Sequence, residues 1–178
     1  MDKSIFNKYS DYYDLLYDDK DYFPEANYIH KLIIRHSSNS KNILEFGSGT
    51  GRHGRIFASL GYKVHGIELS EEMYMKSEVA PGFTCQQGDI ANIKMNKTYD
   101  AILSLFHVMS YQISNKKITD VFSNAANHLK KGGLFIFDFW YSPAVYTLKP
   151  SVKIKRMSNK KIKIVRIAEP QLPQILAQ

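Results

Sequence analysis

Glu45-Phe46-Gly47-Ser48-Gly49-Thr50-Gly51-Arg52-His53-Gly54 is the stretch on which the reading of this chain turns. It continues the short apolar run that starts at Asn42, which has the length of a strand. It leads into an amphipathic segment from Arg52 to Leu60, closed by Gly61, which has the pattern of a helix. Glycines let the backbone turn sharply and approach a ligand closely, and a helix starting near Arg52 directs free N–H groups at whatever the loop holds. An isolated glycine cluster of this kind is often only a tight turn, so its neighbours decide its meaning.

Outward from the loop the chain alternates short apolar runs with amphipathic segments, the pattern of parallel strands joined by right-handed crossovers. A second strand is expected at Lys63 to Ile67, and Ser70 caps a following helix with Glu71 and Glu72 in its first turn. Further strands are expected near Gly82 to Gln87, at Tyr99 to Leu105 and at Leu134 to Phe139. The last is nearly all apolar, which predicts cover on both faces. Before it, Ile118, Val121, Phe122, Ala125, Ala126 and Leu129 make one apolar helical stripe, ended by Lys130-Lys131-Gly132-Gly133. Upstream, Ala26, Ile29 and Ile33 predict a helix over Phe23 to His36, with Pro24 tolerated in its first turn. Ile5 to Tyr22 mixes tyrosines and aspartates and is expected to form a short helix or two. Downstream, two runs from Val152 and from Lys161 alternate apolar and basic residues at period two, and Ser158-Asn159 would turn them into a hairpin. The fold class is therefore α/β: a Rossmann-like, doubly wound, mostly parallel sheet with helices on both faces, N-terminal helices and a C-terminal basic β-hairpin. One domain spans residues 1–178, divided into N-terminal helices (1–40), a ligand-binding core (41–140), the hairpin (150–168) and an irregular tail (169–178).

Composition agrees with one globular domain: 178 residues, 44% hydrophobic and 23% charged. The first residues lack the apolar run of a secretory signal and no segment reaches the length of a membrane span, so a cytoplasmic chain without a membrane partner is expected. The single cysteine, Cys85, falls in a strand-like stretch and reads as a buried, inert thiol. The net charge of +7 is unevenly placed, with acidic residues from Asp11 to Glu25 and basic ones from Lys153 to Arg166. Alternation puts Lys153, Lys155, Lys161 and Lys163 on one face, which suits phosphates but is also ordinary for an exposed hairpin.

In an open parallel sheet, ligands lie outside the carboxyl ends of the strands, near the point where strand order reverses. Glu68 ends the second strand, about 17 residues after the loop, and is placed to accept two hydrogen bonds from a ribose diol. Asp89 follows the third strand, either to hold an adenine amino group or to cap the turn there. Ser104 to Tyr111 follows the fourth.

Together these residues resemble motifs I to IV of class I S-adenosylmethionine-dependent methyltransferases, over about Asn42 to Trp140. The tyrosine-rich opening and the F-x-x-x-x-Y of Phe106 to Tyr111 are similar to nucleotide-sugar N-methyltransferases. The resemblance implies that Glu45 and the backbone of Gly47, Gly49 and Gly51 hold the methionine part of S-adenosyl-L-methionine. Glu68 would hold the ribose hydroxyls and Asp89 with Ile90 the adenine, with Leu69 and Leu105 also beside the cofactor. It implies no metal and a small-molecule acceptor, with a nucleotide-sugar as the class it suggests. The family fold normally ends with a further helix and an antiparallel strand pair, so either the hairpin replaces them or the chain is a fragment. A fragment would leave the fifth strand as an apolar edge open to oligomerisation, a homodimer included.

Two rival readings stay open at this point. Gly49-x-Gly51-x-x-Gly54 satisfies the dinucleotide pattern, so an NAD-binding oxidoreductase competes, although no second βαβ half follows the fifth strand. A non-catalytic nucleic-acid-binding module would use the basic hairpin, and is the less expected partner class. A P-loop is excluded by the missing Gly-Lys-Ser/Thr, and Glu45 would repel phosphates while suiting an ammonium. For the chemistry, His107 is the candidate base or orienting group, with a backbone-bonded helix-start histidine as the alternative. Tyr13 is the candidate aromatic cover for the cofactor, and most of its neighbouring tyrosines are expected to pack a helix. His53, inside the helix start, could contact the carboxylate of the cofactor but is expected to be solvated or backbone-bonded, and Asp138 and Trp140 read as borders of an acceptor pocket, with packing the alternative for Trp140.

Overall fold

The computed structural model describes residues 20–141, 143–144, 147, 151–158 and 163–169. Tyr13 and the rest of the tyrosine-rich opening before Lys20 lie outside the described residues, as does Lys161. The described residues fall into two compact units: Asp21–Phe139, and Lys20 with those from Trp140 onward.

In the first unit, α1 (Phe23–His36) forms where expected, with Pro24 in the first turn, Arg35 and His36 in the last, and Ala26, Ile29 and Ile33 buried. There follow β1 (Asn42–Phe46), α2 (Arg52–Ser59), β2 (Lys63–Glu68), α3 (Glu71–Met75), β3 (Phe83–Gln87), β4 (Tyr99–Ser104), a 3₁₀ turn (Val108–Tyr111), α4 (Asn115–His128) and β5 (Leu129–Phe137). Ser70 caps α3, its hydroxyl accepting from Met73 N–H at 3.3 Å, and Ser114 caps α4 through Lys117 N–H at 3.2 Å. The five strands are parallel in the order β3-β2-β1-β4-β5. The chain thus steps outward from β1 to β3 and returns to β4, which puts the topological switch between β1 and β4.

Alternation along the strands divides the core into two layers. Ile43, Val64, Phe83, Ala101 and Leu103 face α1 and α2, packing on Ala26, Ile29, Ile33 and Phe57. Leu44, Phe46, Ile67, Tyr99 and Ile102 face the other way, towards Val121 and Ala125 of α4. The doubly wound sheet with helices on both faces is therefore present.

Three details depart from the sequence reading. On α4 the buried residues are Val121, Asn124, Ala125 and His128, while Ile118 and Phe122 are 37% and 41% exposed. The helix is turned so that two polar side chains replace two apolar ones beneath it. Leu129 already pairs with Tyr99, so Lys130 to Gly133 lie inside an irregular entry to β5 rather than after a helix. Leu134 to Phe137 are only half-buried: β5 is an edge strand, so helical cover cannot enclose it on every side.

In the second unit β6 (Lys153–Ser158) and β7 (Lys163–Ala168) form the antiparallel hairpin. Ser158 pairs with Lys163 at the end of the ladder and so belongs to the strand. Residues directly opposite share a face, so Lys155 lies with Arg166 while Lys163 lies with Ser158 on the other side. Lys163 is thus not on the face of Lys153 and Lys155. The proposed basic stripe is split because the register sets Lys163 opposite Ser158, so odd-numbered residues of β7 share a face with even-numbered residues of β6.

Close packing beneath the glycine loop is testable. A Cβ at Gly54 would strike the ring of Phe83 and the Glu45 carboxylate, and Phe83 is fully buried. Gly54→Ala is therefore expected to lower the stability of this unit by about 1–3 kcal/mol through overpacking, read as an earlier midpoint in chemical denaturation. An unchanged midpoint would mean that the ring can move.

Candidate functional site

The loop after β1 is fixed from below before any ligand arrives. Gly47 and Ser48 N–H both donate to the carbonyl of Ile67 at the end of β2, at 2.8 and 3.0 Å. The Ser48 hydroxyl lies 3.2 Å from Cys85 Sγ; the thiol is half-buried rather than buried, because β3 is an edge strand, and partial burial raises its pKa. Gly47, Gly49 and Gly51 all have positive φ, at 71°, 56° and 77°. At Gly47 and Gly51 an added Cβ would also collide with Val108 and Phe83, so packing alone demands glycine there. At Gly49 it would meet nothing within 4 Å. That glycine faces open space, the place where backbone and ligand can approach closely.

Two carboxylates bound this space. Glu45 is 2% exposed, and its Oε2 is buried without a hydrogen-bond partner. Burial, reinforced by the nearby charge of Glu68, pushes its carboxyl up to about 8, against the opposing pull of Arg55 and of the Gly54 N–H. Glu68 accepts from Gly49 N–H at 2.7 Å through one oxygen and from Ser70 N–H at 2.9 Å through the other. Burial raises its pKa too, while those backbone donors lower it. Next to it, Leu69 is 65% exposed and its carbonyl accepts from Gln87 Nε2 at 3.4 Å.

The loop after β3 is folded by Asp89, whose Oδ1 accepts from Ala91 N–H at 2.9 Å and whose carbonyl accepts from Ile93 N–H at 2.8 Å. The capping role considered for Asp89 is therefore realised. Ile90 is buried in the α4 layer rather than open to the loop surface. Sequence reasoning missed what holds this loop in place. Asn124 Nδ2 donates to Ile90 O at 2.8 Å, and His128 Nε2 accepts from Met95 N–H at 2.9 Å while its Nδ1 donates to Asn124 O at 2.7 Å. The signal was available: two polar residues four apart on the buried side of α4.

After β4, Leu105 is 4% exposed within the layer facing α1. Phe106 and His107 follow, each with φ of 64°, the non-glycine residues of positive φ among the described residues. His107 N–H donates to Asp138 Oδ1 at 2.8 Å, and its Nδ1 lies 3.4 Å from Asp138 Oδ2. Trp140 is 60% exposed.

His53 corrects the sequence reading. It is buried, its Nε2 sits 3.1 Å from Glu25 Oε2 of α1, and its ring meets that of Tyr22 edge-on at 5.0 Å. Tyr22 also contacts Phe106 and lies 5.4 Å from the Arg52 guanidinium. So the start of α1 ties the glycine loop to the segment after β4, a role no local pattern in the sequence announced.

A cationic ligand fits this arrangement better than an anionic one. The unpartnered Glu45 oxygen suits an ammonium, Glu68 suits a diol, and the open surface over Gly49 leaves room for the group between them. Among the described residues no group of three or more His, Cys, Asp or Glu side chains is placed to hold a metal ion, and no helix is long and apolar enough to cross a membrane.

Comparison with known proteins agrees with this geometry. Residues 43–133 match the family described as methyltransferase domain. The chain is similar to dTDP-3-amino-3,4,6-trideoxy-alpha-D-glucopyranose N,N-dimethyltransferase of Streptomyces venezuelae, 28% identical over 141 residues that cover 78% of this chain and 60% of the relative. It thus spans little more than half the length of the curated relatives it matches, 60%, 54% and 55% for three of them. Among solved structures it is similar to Streptomyces venezuelae DesVI, with a TM-score of 0.76 at 25% identity over 89% of this chain and 68% of that one. The fold is also that of S-adenosylmethionine-bound CalS10 of Micromonospora echinaspora, an amino pentose methyltransferase, at a TM-score of 0.73 and 22% identity over 84% of this chain and 64% of that one.

Proposed function

The chain belongs to the methyltransferase domain family, in its class I S-adenosylmethionine-dependent branch, and from that premise we propose that it methylates an amine or hydroxyl of a small polar acceptor, with a nucleotide-linked amino sugar as the acceptor class. The observation that carries this reading is the pair of carboxylates at the carboxyl ends of β1 and β2, the buried Glu45 and the half-buried Glu68. A dinucleotide would bring its pyrophosphate towards Glu45, whereas a methionine-derived cofactor brings an ammonium there; Glu68 suits the ribose diol of either, so Glu45 is the discriminating residue. The relatives named as dTDP-amino-sugar N,N-dimethyltransferases support the acceptor class. The reading takes the chain as cytoplasmic and its partner as a small molecule, and the split of the hairpin's basic residues between two faces argues against a phosphate-tracking surface.

When bound, S-adenosylmethionine supplies a methyl group made electrophilic by its sulfonium. The residues of the chain have the tasks of orientation and proton handling. Glu45, with Gly49 and Gly51, would seat the amino-acid end, Glu68 and Leu69 the ribose, and the Asp89 loop, braced by Asn124 and His128, the adenine. Rigid seating lets positioning supply much of the rate, of the order of 7–11 kcal/mol in favourable systems. His107 would meet the acceptor at the mouth of β4.

Titration calorimetry with S-adenosylhomocysteine tests the reading. Binding with one site per chain is expected, together with no measurable binding of NAD. The reverse outcome, NAD bound and S-adenosylhomocysteine refused by the folded chain, would overturn it.

A further inference from the structure

Helix α4 gives up apolar burial to hold a loop. It leaves Ile118 and Phe122 exposed and buries Asn124 and His128 instead. A buried polar side chain costs free energy unless it is paired, so a helix serving stability alone would carry apolar residues at both places. Both side chains are paired with the backbone of one segment, the loop between β3 and β4. Asn124 Nδ2 donates to Ile90 O at 2.8 Å, and Met95 N–H donates to His128 Nε2 at 2.9 Å. The ring is fixed in turn by its own helix, its Nδ1 lying 2.7 Å from Asn124 O. A carbonyl only accepts and a backbone N–H only donates, so the proton sits on Nδ1, Nε2 is bare and the ring is neutral.

The two anchors stand near either end of the segment that follows β3. Between them the chain turns on Asp89, whose carbonyl takes Asn92 and Ile93 N–H at 3.0 and 2.8 Å and whose Oδ1 takes Ala91 N–H at 2.9 Å. Asp89 is only half-buried, and its Oδ2 has no partner among the described residues. We propose that Asn124 and His128 are positioning residues for recognition of the adenine. By pinning the loop at Ile90 and Met95 they hold Asp89 Oδ2 where it accepts from the exocyclic amino group, and so set the preference of the site for an amino over an oxo purine. The inference rests on the methyltransferase reading and narrows it. A loop tied only through the turn at Asp89 keeps its shape but not its place against the sheet. A hydrogen bond weakens steeply when distance and angle drift, whereas apolar contact with the purine ring tolerates the same drift. Loss of the brace therefore lowers discrimination between purines.

Calorimetry with S-adenosylhomocysteine and its deaminated analogue, S-inosylhomocysteine, tests this. In the analogue a carbonyl stands where the amino group was, and offers the carboxylate nothing to accept. The wild-type chain is expected to prefer the adenine compound on the order of 10–10²-fold, the worth of one hydrogen bond to a charged group. In His128→Leu and in Asn124→Ala that preference should drop about tenfold, in chains whose circular dichroism matches the wild type. His128→Gln sets an amide oxygen near the place of Nε2 and should keep most of it. The Met95 amide, protected in the wild type, should exchange faster in His128→Leu. If His128→Leu does not fold, Asn124→Ala decides. A wild-type preference retained in the folded Leu and Ala variants overturns the proposal, and so does a wild-type chain that binds both compounds equally. A merely structural role lowers both affinities together and leaves their ratio unmoved. Refusal of both compounds by the folded wild-type chain would instead count against the methyltransferase reading itself.

Discussion

Glu68→Ala is expected to weaken S-adenosylhomocysteine binding on the order of 10²–10⁴-fold, measured by calorimetry, while the first unit stays folded. A carboxylate that accepts two hydrogen bonds from a diol loses both on truncation, and bonds to a charged group are each worth about 1.5–3 kcal/mol. The structure adds a second reason for a large effect. Glu68 already grips Gly49 N–H and Ser70 N–H, so its removal frees the loop as well as the ligand contact. Glu68→Gln separates the two, because the amide keeps one acceptor oxygen. If Ala and Gln weaken binding equally, the second oxygen on the ligand matters. Unchanged affinity in both would end the ribose assignment.

The second large effect is electrostatic and depends on pH. Glu45 has a folded carboxyl at about 8 against an ordinary value of 4.5, first because of burial and then because Glu68 is near. For an acid whose pKa is raised on folding, both states are protonated well below 4.5 and the group costs nothing there. As pH rises from 4.5 towards 8 the unfolded chain ionises first, and stability falls; above 8 both are ionised and the loss is complete. The ceiling on that loss is about 5 kcal/mol, at 1.36 kcal/mol per unit. Glu45→Gln should reduce this decline, seen as a denaturation midpoint that falls less between pH 5 and 8 than the wild type's, the remainder including Glu68, whose pKa is also raised. Binding reads the same group from the other side. A ligand ammonium beside Glu45 favours the carboxylate, so S-adenosylhomocysteine should expel up to one proton near neutral pH. Calorimetry in two buffers of different ionisation enthalpy measures it. Intact binding with no proton released in the wild type would mean that Glu45 does not meet the ammonium.

Much of the first unit could be read from the sequence because its signals are local. Strand, loop and helix around Gly47 to Gly51 each follow from period and glycine placement, and so do α1 and the cap at Ser70. Glu68 and Asp89 could be placed at the ends of β2 and β3 because strand ends are fixed once strands are. What escaped depended on contacts distant in sequence. The Glu25–His53 pair spans 28 residues, the Met95–His128 bond 33 and the His107–Asp138 pair 31. No periodicity encodes such meetings. The facing of α4 was misjudged for a related reason: Asn124 and His128 are polar, and only the loop they hold makes their burial favourable. The faces of the hairpin were misassigned because alternation within each strand does not say which residues of the two strands stand opposite, and the register puts Lys163 opposite Ser158.

The chain has one tryptophan, Trp140, which lies in the second unit and is largely exposed. Its emission therefore reports on the start of the second unit. The sheet that carries the glycine loop has no such chromophore. A fluorescence melt and a far-ultraviolet circular dichroism melt would follow different parts of the same molecule, and a gap between their midpoints would give the separate stabilities of the two units in a single unlabelled sample.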